Sequence, residues 1–293
     1  MIIHISKYAT TLQYVFMTPC SCKVHSVFDN TINVQYNERL LTLNHRDSPM
    51  TPMSINLDVS AQAFQSFQIK QHDFVMLSKE GIQIANDWFV RGQHQEIDLS
   101  YSRFEGSLDD DSLIILKENI FSFMMSTSTK GVLLSSLKYI FNIDQKDDTF
   151  LGNYVINMLM EIEAAKQPDL IVDKIASLLG LGEGLTPSGD DFICGVLAMW
   201  CYLSNEPTLD QMYKQLSQKV KQSVNKTTTV SKDYLLYATE GLFNEYVMNL
   251  FIEHRKNQPY LKYLHKISTL GHSSGTDFLV GMYFGLKTGG IQK

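Results

Sequence analysis

Two periodicities divide the chain. From about residue 20 to residue 100 apolar and polar positions alternate: Ile32, Val34 and Tyr36 flank Asn33 and Gln35, Ile55, Leu57 and Val59 flank Asn56 and Asp58, and Ile82 and Ile84 flank Gln83. Period two is the signature of strands with one buried face. Turn-forming residues separate these runs at Asp29-Asn30, Asn37-Glu38, Ser48-Pro49 and Lys79-Glu80-Gly81. Short strands at such spacing predict an antiparallel sandwich or a small barrel. Beyond the acidic turn Asp109-Asp110-Asp111 the period becomes helical, with Leu113, Leu116, Ile120 and Phe123/Met124 on one face, then Tyr154, Met158 and Ile162. A helix containing Asp173 to Leu179 is expected to stop at Gly180, in the role of a C′ glycine. Further helices are expected from near Ser188 to Tyr202, over about 208–223, 231–255 and 260–269, and from Ser274 onward.

The expected fold is therefore α+β. An antiparallel β sandwich or barrel-like N-terminal domain, residues 1–108, is packed on a mainly helical C-terminal domain, residues 109–293. No Gly/Ser-rich or Pro-rich linker stands between them.

A short phrase occurs twice in the helical part. Residues 188–195 read Ser-Gly-Asp-Asp-Phe-Ile-Cys-Gly and residues 274–281 read Ser-Gly-Thr-Asp-Phe-Leu-Val-Gly, a shared S-G-x-D-F-x-x-G. The first follows Gly180-Leu-Gly182-Glu-Gly184-Leu-Thr186-Pro187, the second Gly271-His272-Ser273. Capping and packing alone would account for much of this. Ser188 and Ser274 suit N-caps, and Asp191 and Asp277 suit the N3 position of a capping box. Gly195 and Gly281, each costing about 1 kcal/mol relative to Ala inside a helix, fit a close helix crossing.

Three features go beyond that. Asp190 is a second carboxylate that a cap does not need. Gly182 and Gly184 add glycines that a helix stop does not require. His272, Ser273 and Ser274 crowd the second turn with short polar groups. A glycine-rich turn feeding a helix N-terminus leaves backbone N–H groups unpaired, and two such ends would make an anion-ready site. Carboxylates beside it suit an amide, an ammonium group or Mg²⁺. Candidate catalytic residues are thus Asp190, Asp191, His272 and Asp277. Candidate substrate-binding residues are Gly182, Gly184, Thr186, Ser188, Gly189, Ser273, Ser274 and Gly275. No resident metal or other cofactor is expected, Mg²⁺ being the one ion these carboxylates could take. The glycines match neither a P-loop nor a dinucleotide fingerprint.

Lesser candidates read mostly as structure. Thr227 to Ser231 precede a helix, with Thr229 or Ser231 as its N-cap or as a third wall of the same site. Glu240 and Glu245 read as solvated, and Trp88 as core or interface. Cys20, Cys22, Cys194 and Cys201 read as reduced thiols, because no Cys/His cluster completes a metal set around Cys20-Ser-Cys22. Histidines 25, 45, 72 and 94 are scattered.

Composition excludes whole classes of function. The 293 residues are 44% hydrophobic and 19% charged, with a net charge of −6, and no basic block of the kind nucleic-acid binders carry is present. The longest apolar run, Phe192 to Leu203, falls short of the roughly 20 residues that span a bilayer, and no secretory signal pattern opens the sequence. A cytoplasmic protein without nucleic-acid or membrane partners is expected.

The stretch Gly180-Leu-Gly-Glu-Gly-Leu-Thr-Pro-Ser-Gly-Asp-Asp-Phe192, with Gly271-His-Ser-Ser-Gly-Thr-Asp277 downstream, resembles a bacterial family once known only as a domain of unknown function, the AllH-type subunit of oxamate carbamoyltransferase. The likeness covers most of the chain. It departs at Glu183, where the family pattern has Pro. The resemblance implies one subunit of a multi-subunit transferase in purine (allantoin) nitrogen catabolism, interconverting oxalurate plus phosphate with oxamate plus carbamoyl phosphate. It implies other subunits as partners, and phosphate, carbamoyl phosphate, oxamate or oxalurate as the small anionic ligand. A non-catalytic anion-binding, assembly or regulatory subunit of such a complex is the alternative.

Overall fold

A computed structural model describes residues 2–101, 108–128 and 131–289. The chain divides into two compact units, one of Met1–Ser100 with Phe243–Glu245, the other of Tyr101–Leu242 with Tyr246–Lys293. Residues 102–107, which close the expected N-terminal domain, lie outside the described residues.

The first unit is a closed barrel rather than a sandwich. Its strands are β1 (Ile2–Ala9), β2 (Cys20–Val27), β3 (Thr31–Tyr36), β4 (Arg39–His45), β5 (Ser54–Leu57), β6 (Phe74–Ser78), β7 (Gly81–Ile84) and β8 (Asp87–Ile97). They run in the order β1-β5-β4-β3-β2-β6-β7-β8, and β8 closes onto β1. Two of the pairs, β1 with β8 and β4 with β5, are parallel, so the all-antiparallel expectation is corrected. Alternation fixes which face of a strand is buried, whereas pairing direction depends on which strands meet. Closure leaves no open sheet edge among the described residues for another chain to template on. The inward positions include Ile5, Val24, Val34, Leu43, Val75 and Phe89, all wholly buried. Hairpin β3–β4 turns through Asn37 at φ 53, a left-handed conformation that Asn tolerates. A short helix α1 (Ala61–Gln65) is N-capped by the Ser60 hydroxyl, which accepts from the Ala63 N–H. Trp88, expected in a core or interface, stands 38% exposed on β8. Glu245, expected to be solvated, instead accepts a hydrogen bond from the Met50 N–H at 2.9 Å.

The second unit contains α2 (Asp110–Ser126), α3 (Val132–Ile140), α4 (Phe150–Ala164), α5 (Pro168–Ala176), α6 (Ser188–Tyr202), α7 (Pro207–Ser223), α8 (Thr229–Ala238), α9 (Glu245–Arg255, apart from its first residue), α10 (Leu261–Ser268) and α11 (Ser274–Thr288). The acidic turn proves to be a helix start: Asp109 caps α2 by accepting from the Ser112 N–H at 2.7 Å. The phase of α4 differs from expectation. Val155, Ile156, Leu159 and Ile162 are its buried apolar positions, while Tyr154 is 36% exposed. Helix α5 ends at Ala176 rather than just before Gly180. The single helix expected over 231–255 is two, α8 and α9, separated at Gly241, whose φ of 74 no helix accommodates. No helix among the described residues is long and apolar enough to cross a membrane.

At the centre of this unit α6 and α11 cross. A Cβ on Gly195 would overlap the Phe278 carbonyl oxygen and lie 3.0 Å from Gly281 Cα. One on Gly281 would overlap the Phe192 carbonyl oxygen and lie 3.1 Å from Gly195 Cα. The two motif glycines are thus the contact point of two backbones, which is why both copies carry them. Trp200 Nε1 adds a hydrogen bond across the crossing to the Gly285 carbonyl at 3.2 Å.

Candidate functional site

The crossing joins two copies of one local structure. In the first, Leu181 N–H bonds Leu178 O at 2.9 Å, and Gly189 N–H bonds Leu181 O at 2.8 Å. In the second, Leu270 N–H bonds Ile267 O at 3.0 Å, and Gly275 N–H bonds Leu270 O at 3.0 Å. A Cβ on Gly189 or Gly275 would overlap the carbonyl of Leu178 or Ile267 respectively. Both glycines, expected to bind substrate, are therefore buried against the preceding helix end, with their N–H groups already used.

This changes the expected chemistry of the site. Asp190 and Asp191 N–H both bond Pro187 O, at 2.9 and 3.2 Å, and Asp277 N–H bonds Ser273 O at 2.9 Å. The first-turn amides are mostly taken, so the glycine turns do not offer the row of free donors anticipated. The capping box is corrected as well. Pro187 and Ser273 occupy the N-cap positions, and neither helix has a side-chain cap. Ser188 and Ser274 are the first helical residues, so Asp191 and Asp277 stand one position too deep to cap.

What remains is a carboxyl and hydroxyl cluster. Asp277 is 0% exposed, and neither of its carboxyl oxygens has a hydrogen-bond partner among the described residues. Asp191 keeps some surface, but its Oδ2 is enclosed and likewise unpartnered. Burial is the main force on both carboxyls. It raises Asp277 to about 7, against a smaller lowering by the nearby Ser188 and Ser273 hydroxyls and the Leu133 N–H, none of which meets it in bonding geometry. Burial raises Asp191 well above the carboxylate range, the Asp277 charge adds to this, and Ser274 and Thr186 act against it. Each aspartate thus faces a serine that opens the other helix. Thr186 and Ser274 share a hydroxyl–hydroxyl bond at 2.7 Å, tying the two turns together. Thr186, Ser188, Ser273 and Ser274, the hydroxyls around the two carboxyls, are all half-buried.

A further wall was not foreseen. Gly131, the N-cap of α3, has φ 76, and a Cβ there would lie 2.7 Å from Ser273 Cβ and 3.0 Å from Asp277 Oδ2. The N-terminus of α3 therefore meets those of α6 and α11 around Asp277, and three helix dipoles favour negative charge there. The only sequence signal was the polar run Ser126 to Lys130 ending in Gly131 before Val132-Leu-Leu.

The remaining candidates separate from this cluster. Asp190 is 1% exposed and fully engaged: Oδ1 accepts from Gly180 N–H at 2.7 Å, and Oδ2 accepts from Ser231 Oγ at 2.6 Å and from Thr227 Oγ1. It clasps the first turn to the start of α8 and serves as a strut. Thr228, rather than Thr229 or Ser231, caps α8 by accepting from Ser231 N–H at 3.1 Å. His272 and Gly184 lie exposed in their turns. Gly182, at φ 116, lies against Ser188, where a Cβ would come 2.8 Å from the Ser188 nitrogen. Clefts of about 430 and 350 Å³ lie elsewhere, one along α7 beside Tyr213 and Lys221, the other beside His254 and Tyr260. They are lined by side chains outside the repeated motif. No group of three or more His, Cys, Asp or Glu side chains among the described residues could hold a metal ion.

The duplicated motif and the barrel both have counterparts in known sequences. A family profile described as oxamate carbamoyltransferase subunit AllH matches residues 178–286, and one described as the AllH family N-terminal domain matches residues 4–102. The chain belongs to the AllH family. The first match contains both S-G-x-D-F-x-x-G copies and the entire α6–α11 crossing. The second covers the barrel from His4 onward. Gly131 and the start of α3 fall between the two AllH matches. No solved structure matches the chain.

Proposed function

We propose that this chain is the subunit of an oxamate carbamoyltransferase that contacts the transferred group, and that the α6–α11 crossing is where it does so. The supporting observation is Asp277, wholly buried with both carboxyl oxygens unpartnered, in a cluster with the hydroxyls of Thr186, Ser188, Ser273 and Ser274. A buried carboxyl without a partner costs free energy unless a ligand supplies one, and such groups collect at functional sites. Packing explains Gly189, Gly195, Gly275 and Gly281, and clasping explains Asp190. Neither explains Asp191 and Asp277.

In the direction from oxalurate, an oxygen of hydrogen phosphate forms a bond to the ureido carbonyl carbon. The bond from that carbon to the oxamyl nitrogen breaks, and the phosphate proton ends on that nitrogen, giving carbamoyl phosphate and oxamate. A proton carrier near neutrality serves this exchange, because general acid–base groups work best with a pKa near the operating pH. Asp277, raised to about 7 by burial, is suited to that task with Asp191 beside it. The surrounding hydroxyls and the three converging helix ends offset negative charge on the substrates. Allantoin nitrogen catabolism is the metabolic setting that goes with this chemistry.

The test is reconstitution with the partner subunits and measurement of carbamoyl phosphate formed from oxalurate and phosphate. Asp277→Asn is expected to lower kcat by about 100-fold or more while the complex still assembles on size exclusion. Unchanged turnover would overturn the reading and leave the chain as an assembly subunit.

A further inference from the structure

The arrangement of the two carboxyls says more about what the site reads. We propose that the Asp191–Asp277 pair recognises a primary amide, one carboxyl donating to the amide oxygen and the other accepting from its N–H, so that the site rejects the isosteric carboxylate. This rests on the preceding assignment of the site, and adds to it the group that is read and the residues that read it.

A Cβ on Gly195 would meet Gly281 and one on Gly285 would meet Met199, so α6 and α11 run in register, and one turn earlier that register sets Asp191 against Asp277. Two carboxyls so placed, with little water between them, are most stable holding one proton between them. Such a pair presents one O–H donor and an ionised oxygen acceptor side by side. A primary amide is the smallest group that offers a carbonyl acceptor and N–H donors on adjacent atoms, and it fits that pattern with both partners satisfied. A carboxylate in the same place offers acceptors only, and would leave the ionised aspartate facing another anion.

The neighbouring groups support the division of labour. Asp190 is already saturated by Gly180, Thr227 and Ser231, so it does not compete for the ligand. Asp277 Oδ1 and Oδ2 and Asp191 Oδ2 are the enclosed carboxyl oxygens left without partners here. The N–H groups of Gly189, Gly275, Asp190, Asp191 and Asp277 are bonded to Leu181, Leu270, Pro187 and Ser273 and do not stand free for an anion. At its carboxyls, therefore, the cluster is built for a neutral hydrogen-bonding group, and the half-buried hydroxyls are left for a charged end. The exposed groups flanking the turns, Glu183 and His272, stand outside this pair.

Oxamate and oxalate test this directly, because they differ only in an NH₂ replaced by an oxygen anion. Titration calorimetry at pH 7.5 on the full chain, and on the reconstituted complex, is expected to give oxalate a dissociation constant about 100-fold or more above that of oxamate. A site built to hydrogen-bond one group discriminates by factors of that order or larger. Asp277→Asn should weaken oxamate, relieve the repulsion on oxalate, and bring the two within about ten-fold, the order expected once recognition no longer depends on the buried acceptor. The wild-type ratio decides the matter even if that variant folds poorly. Equal wild-type affinities, with both ligands still affected by Asp191→Asn, would refute amide reading while the site assignment stands. Failure of oxamate, oxalate, phosphate and carbamoyl phosphate alike to bind chain or complex would remove both.

Discussion

Asp277 should make this protein lose stability as the pH rises through neutrality, and Asp277→Asn should remove that share of the loss while the share from the raised Asp191 carboxyl remains. The unfolded chain releases this proton near the ordinary aspartate value of about 3.9, whereas burial holds it in the folded state to about 7. Between those values the folded protein holds the Asp277 proton and the unfolded one does not, so the contribution of this carboxyl falls with increasing pH and levels off above its folded value. At 1.36 kcal/mol per pH unit, the full cost of ionising the buried carboxyl is about 4 kcal/mol. Roughly 2–3 kcal/mol of this accrues between pH 5 and pH 8. Asp277 is wholly enclosed, so solvent screening does not discount the figure. Thermal unfolding of wild type and Asp277→Asn across that range is the assay. Relative to wild type, the variant should gain about 5–10 °C on going from pH 5 to pH 8, at 2–4 °C per kcal/mol for a unit of this size. Parallel pH profiles would refute the reasoning, because they would mean that Asp277 ionises as freely in the folded chain as in the unfolded one.

Two further substitutions separate structure from chemistry. Gly195→Ala forces a methyl group into the Phe278 carbonyl at the helix crossing. It should cost about 1–3 kcal/mol or more by overpacking, read as a lower urea midpoint. Asp190→Ala leaves the Gly180 N–H and the Thr227 and Ser231 hydroxyls without their acceptor. It should cost about 3–5 kcal/mol and lower the melting temperature at every pH, unlike the pH-selective effect of Asp277→Asn.

The repeat that marks the candidate site was readable from the chain, because repetition survives in one dimension. S-G-x-D-F-x-x-G stands out twice against a varied background, and a glycine two turns into a helix already argues for a close neighbour. The roles within the motif were not readable. Asp190 and Asp191 are adjacent in sequence and about 100° apart around a helix, so one is saturated by α8 and the first turn while the other faces Asp277. The amides of Gly189 and Gly275 were expected to be free, and each is used by a carbonyl in the turn before it.

By itself the sequence determined local matters: the change of period near residue 109, the burial of alternate barrel positions, and the helix starts at Ser188 and Ser274. These depend on side-chain patterns and backbone sterics within a few residues. Tertiary structure decided which elements meet. It closed β8 onto β1 in parallel, broke the expected 231–255 helix at Gly241, and carried Gly131 to the face of Asp277. It also raised the Asp277 carboxyl, because burial depends on what lies across the fold from a residue, and neighbours along the chain do not specify that.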